Sequence, residues 1–132
     1  MKQLSLILSL FCLLTIDAQN NMKEELPYRE IPDVDVEYTS GTVLARMIDG
    51  LGFRFYWATE GLKTEDLAYK PSADFRTTSE TIDHIYGLTK VIYNSAIGDA
   101  NSNSEKEELS FEENRKKTLV MLEKAANIFR KA

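Results

Sequence analysis

Cysteine and histidine are almost missing from this chain, one of each in 132 residues. A single Cys excludes a disulfide framework and any cysteine-built zinc site. A single His excludes a multi-histidine metal site drawn from this chain alone. Gly and Pro are sparse, six and three, which excludes collagen-like or low-complexity organisation. No basic cluster is present, and 21 Asp and Glu against 16 Lys and Arg give a net charge of −5. Binding to phosphates needs Lys and Arg, so no nucleic-acid partner is expected. What remains is globular composition: 43% hydrophobic, 28% charged and 10% aromatic. The length suits one domain with one core.

Lys2 precedes an apolar run from Leu4 to Ile16, broken by Ser5, Ser9 and Thr15. The run is too short for a membrane span and has the length of a signal-peptide core, with Ala18–Gln19 as the cleavage point. Residues 1–18 therefore read as a signal peptide, and the protein as exported to the periplasm or the medium, with no membrane contact after cleavage. The competing reading is a buried N-terminal helix. Cys12 follows Phe11, where lipidation calls for a small residue, so it is not taken as a lipid anchor. Removing 18 of 132 residues leaves 114, without cysteine, and Lys2 and Asp17 cancel so that the charge stays at −5. A chain without cysteine is indifferent to the redox state of its compartment.

Residues 19–38 carry Pro27, Pro32 and several charges without periodicity, and read as an extended arm. Residues 39–132 form the helical domain, with three long amphipathic helices and no repeat. In the first, from about Thr42 to Glu60, Leu44, Met47, Ile48, Leu51, Phe55, Ala58 and Leu62 recur at three- and four-residue steps and predict the buried stripe. Gly61 is its expected stop. Gly50 and Gly52 cost about 1 kcal/mol each relative to Ala inside a helix, which points to close approach of a neighbour. Phe53 and Trp57 project from the other side and need a cover. The arm, through Tyr28, Ile31 or Val34, is one candidate and a partner subunit is the other.

Thr64-Glu65-Asp66-Leu67 predicts a single helical turn, and Tyr69-Lys70-Pro71 an extended stretch. The second long helix opens on Thr77 and Glu80 in capping-box spacing and closes near Gly98. Ile82, Ile85, Tyr86, Thr89, Ile92, Tyr93 and Ala96 predict its buried face. Leu88 and Val91 widen the apolar arc beyond half the circumference, and Asp83, Lys90 and Asn94 mark the wet side. Such an arc implies neighbours on two sides. Residues 98–109 read as a solvated loop. The third helix opens on the Ser110 and Glu113 capping box, with Phe111, Thr118, Leu119, Leu122, Ala125, Ala126 and Phe129 as its stripe. Glu112–Lys116 and Glu113–Lys117 are helix-surface pairs.

The sequence stops with the third helix still in phase, and the second helix has an apolar arc wide enough for neighbours on two sides while only two other long helices exist. A fourth helix is expected, from a longer chain or from a partner, which makes a partner helix or a homodimer the expected assembly. A three-helix bundle standing alone is the competing reading. His84, in Glu80-Thr81-Ile82-Asp83-His84-Ile85-Tyr86-Gly87-Leu88, lies at the edge of the apolar arc. A lone His there is usually a partly buried, hydrogen-bonded side chain, and neutral imidazole is also a common metal ligand.

Phe53-Arg54-Phe55-Tyr56-Trp57-Ala58-Thr59-Glu60-Gly61-Leu62, then Leu67-Ala68-Tyr69-Lys70-Pro71, then the capped helix with His84-Ile85, resemble the DinB-like (DinB/YfiT) four-helix superfamily, in its exported Bacteroidota-type branch. The resemblance spans roughly residues 38–132. It implies an all-α, up-down-down-up bundle, here with three of its four long helices, and a divalent metal, Zn²⁺ or Ni²⁺, held between helices two and four. His84 matches the second-helix ligand. The remaining ligands belong to the fourth helix and have no counterpart here. One imidazole cannot hold the metal usefully, so no tightly bound metal is expected and the chain as given is expected to be inactive.

Two functions follow as expectations. One is an incomplete metal-dependent transferase or hydrolase domain of DinB-like type. The other is a non-catalytic exported helical module that binds an apolar ligand or a partner helix. A degenerate product without function is a third, weaker reading.

Overall fold

A computed structural model describes residues 25–102 and 107–132; the signal-peptide expectation lies outside them. The described residues are all-helical: α1 Ser40–Thr59, a short α2 Thr64–Ala68, α3 Thr78–Ile97 and α4 Phe111–Phe129. No described helix is long and apolar enough to cross a membrane.

The boundaries follow local chemistry. Thr77 caps α3 and Ser110 caps α4, each with the Glu three residues on closing a reciprocal box. Two backbone donors that the helix leaves unpaired are satisfied in each case. The cap of α1 is Thr39 with Thr42, a Thr/Thr version that lacks the acidic partner a sequence search looks for. Gly61 and Gly98 take left-handed conformations just past α1 and at the end of α3, which glycine adopts without steric cost.

α4 is the centre. α1 and α3 both pack on it, and neither is in backbone contact with the other. α1 runs antiparallel to α4: Gly41 lies against the Phe129 carbonyl, while Thr59 at the far end meets Arg115. α3 runs parallel to α4, since Asp83, near its start, accepts a 2.9 Å bond from Asn114, near the start of α4. The end of α3 and the start of α4 therefore lie at opposite ends of a helix about 30 Å long. Leu119, Leu122 and Ala125 are fully buried between α1 and α3, and each leucine contributes roughly 1.5–3 kcal/mol by leaving water.

The buried face of α1 differs from the predicted stripe. Ala45, Ile48, Asp49, Gly52, Phe55 and Thr59 are buried, whereas Leu44, Met47, Leu51 and Ala58 are exposed, Met47 at 68%. The reason is packing distance. Small residues at 41, 45 and 52 let α4 and the arm come close, and larger side chains were left on the uncovered side. The arm holds the rest. Tyr28 has φ +71° and lays its ring over Gly52, where a Cβ would collide with it. Its hydroxyl donates to buried Asp49 (3.3 Å), which also accepts from Arg130 (2.5 Å). Arg130 pairs in addition with Asp35 at 2.9 Å, fastening the arm to α4.

The wet side of α3 is likewise shifted. Asp83, Lys90 and Asn94 are half-buried: Asp83 faces Asn114 of α4, Glu107 pairs with Lys90 and Lys117 and accepts from Tyr86, and Asn94 bonds Asn101. The open stripe of α3 is instead His84, Leu88, Val91 and Ser95, all exposed, at three- and four-residue steps.

Candidate functional site

Two helices that share a neighbour but do not meet leave a trough between them. The exposed side chains of α1 and of α3 form its walls. At one end a cavity of about 360 Å³ is lined by Leu44, Met47, Leu51, Val91, Ile92 and Ser95, with Ile48 and Phe129 also on its lining. Further along, a cavity of about 300 Å³ lies against Phe55, Ala58, Leu62, Ile82 and Ile85. Leu51 and Phe55 are one turn apart on α1, so the cavities follow one another along the same side of the helix. Each reaches the lower end of the size range of small-molecule sites.

The mouth of the second cavity is built from the connection before α3. The Thr78 amide donates to the Tyr69 carbonyl at 3.0 Å, and Phe75 to Ser72 at 3.2 Å, which pins the loop 69–78. Tyr69, Pro71 and Arg76 thereby reach the cavity lining, beside Thr78 and Thr81. Arg76 is the one charged side chain lining either cavity, and it has no ion pair among the described residues. Sequence reasoning passed over Arg76, because nothing in a polar connection signals that its backbone will be folded back onto a helix.

His84 is exposed on the α3 stripe that also carries the groove residues Val91 and Ser95. Its neighbour Asp83 is turned toward Asn114 of α4. Among the described residues no group of three or more His, Cys, Asp or Glu is placed to hold a metal ion. A single exposed imidazole does not fit the three-ligand requirement of a catalytic zinc site, and no chemistry through a metal is derived from it.

Phe53 and Trp57 lie on the arm side of α1. Phe53 is half-buried and Trp57 is 51% exposed, with its indole N–H donating to the Arg29 carbonyl at 3.2 Å. Arg46 donates to the Pro32 carbonyl at 2.6 Å farther along the same strap. The arm thus occupies the side of α1 opposite the groove.

A polar cavity sits beside the arm. Glu25, Arg29, Tyr56, Glu60, Glu112 and Arg115 line it. Arg115 is buried, stacks over the Tyr56 ring at 4.6 Å and bonds Thr59, the Tyr56 carbonyl and Glu60. Its Nε and Nη2 donors hold α1 to α4, which makes it a structural lock.

Two tyrosines report on electrostatics. Burial, then the adjacent Asp49 charge, holds the Tyr28 phenol protonated far above its ordinary range. Burial and the bond to Glu107 raise Tyr86 in the same direction. Neither faces the groove. Compared with protein-family models, with curated proteins and with solved structures, the chain matches none.

Proposed function

We propose that this chain is a non-catalytic, exported helical module that holds an apolar guest in the groove between α1 and α3. The observation that carries the reading is that groove: Leu44, Met47, Leu51, Leu88 and Val91 stand exposed on two facing helices with no element of the described chain between them. Apolar side chains gathered on one side, rather than scattered, mark a site for a ligand or a partner. The helix directions support keeping the chain beside the DinB-like proteins. α1, α3 and α4 run up, down and down, and the uncovered side lies where a fourth helix would stand in an up-down-down-up bundle. A partner helix or a second copy of the chain would use the same side.

The test uses Nile red, an uncharged dye whose fluorescence rises in apolar surroundings. The purified mature chain is expected to bind it saturably. Leu51→Glu, in the groove, should abolish binding, and Val36→Glu, on the exposed arm, should not. Equal binding by both variants would refute the groove reading.

The metal expectation takes a narrower form. His84 shares the open stripe with the groove wall, so a histidine-bearing helix entering there would face it, while the chain by itself is left with one ligand.

A further inference from the structure

We infer that the groove takes a long-chain fatty acid, with its carboxylate on Arg76 and its tail running between α1 and α3 toward Phe129. The inference rests on the groove reading and names its guest. Charge complementarity carries it. Two apolar cavities follow one another along the same side of α1, and across both linings the one charged group is a guanidinium at the end near the start of α3. No carboxylate lines either cavity, so an anionic head meets attraction at that end and nothing repels it elsewhere.

The mouth also suits the head in detail. Arg76 makes no ion pair among the described residues, so binding a carboxylate breaks no existing bridge. A guanidinium offers paired N–H donors matched to the two oxygens of a carboxylate. The Tyr69 carbonyl bond from Thr78 fixes the loop on which Arg76 stands. Tyr69, Thr78 and Thr81 contribute hydroxyl-bearing side chains at the same mouth. From Ile82 to Ser95 the groove wall on α3 runs about 20 Å at 1.5 Å per residue, the length of a long acyl chain rather than of a compact aromatic. A helix laying its apolar face on these walls would not need a cation at one end, whereas a fatty acid uses the walls and the cation together.

The experiment is displacement of Nile red by myristate and by tetradecan-1-ol, its uncharged counterpart, in the mature chain and in the Arg76→Gln and Lys70→Gln variants. Arg76 is exposed, so its replacement leaves the fold intact. Myristate should displace the dye, and Arg76→Gln should weaken myristate about tenfold while leaving the alcohol within about twofold. Lys70→Gln, a charge change beyond the lining, should alter neither. Equal competition by acid and alcohol, unchanged in Arg76→Gln, would overturn the fatty acid while the groove reading stands. Dye binding that neither competitor displaces would do the same. Equal weakening of myristate by Arg76→Gln and Lys70→Gln would reduce the effect to net charge and overturn the role of Arg76. Failure of the dye to bind removes both readings.

Discussion

Gly50 and Gly52 look alike in the sequence, two glycines in mid-helix, and the structure separates them. A Cβ at Gly52 would run into the Tyr28 ring, whereas at Gly50 its nearest neighbour is the flexible end of Arg54 at 3.2 Å. Gly52→Ala should therefore destabilise the fold by about 1–3 kcal/mol through overpacking, and Gly50→Ala should stabilise it by about 0.5–1 kcal/mol through helix propensity. Urea denaturation of the two variants reads the opposite signs directly. That a glycine here marks close approach was legible in the sequence; which of the two bears the contact was not, since the partner ring comes from an irregular arm. Asp49 and Arg115 were not legible as buried residues, because apolar patterning assigns charge to the surface and cannot see the partners that pair it. Tyr28 makes a further test. The folded state holds its phenol proton more tightly than the unfolded chain does, so this contribution is fully present below pH 10, the ordinary tyrosine value, and is lost as pH rises above it. Melting temperature should fall above about pH 10, where unfolded tyrosine ionises, and Tyr28→Phe should flatten that decline. An unchanged slope in the variant would place the alkaline sensitivity elsewhere.

Among the elements, α1 shows how a helix can be found correctly and turned wrongly. Its existence, length and stop follow from period and punctuation. Its orientation does not, because the largest apolar residues were expected inside, and the face that packs is the one with Gly41, Ala45 and Gly52. Close packing selects small side chains as readily as large ones. α3 was displaced for a related reason: Asn114 of α4 bonds Asp83, Glu107 pairs with Lys90 and Asn101 accepts from Asn94, and no sequence pattern announces such partners. Adjacent residues of α1 should therefore respond in opposite ways. Ile48→Ala, at 4% exposure, should cost about 2–4 kcal/mol. Met47→Lys, on the groove rim, should stay within about 0.5 kcal/mol and abolish Nile red binding. A large loss of stability in Met47→Lys would mean that the rim is packed against something.

For the whole molecule, α4 binds α1 and α3 into one body and leaves the side between them open. The wide apolar arc of α3 anticipated that side from sequence, because it called for neighbours on two sides of the helix. Its cationic mouth was hidden, because Arg76 reaches it only through the fold of the 69–78 connection. The metal expectation belongs to this scale as well. With one exposed imidazole, calorimetric titration of residues 19–132 with Zn²⁺ should show no binding tighter than that of His84→Ala, and a site lost in that variant would restore the metal reading.

The most direct measurement is a residue-resolved ¹H–¹⁵N correlation spectrum of residues 19–132 titrated with Nile red. The account predicts saturable shifts at Leu44, Met47, Leu51, Val91 and Ile92, with Gly52 and the Trp57 indole unmoved. Shifts centred on the arm and Trp57, or no shift at saturating dye, would contradict it.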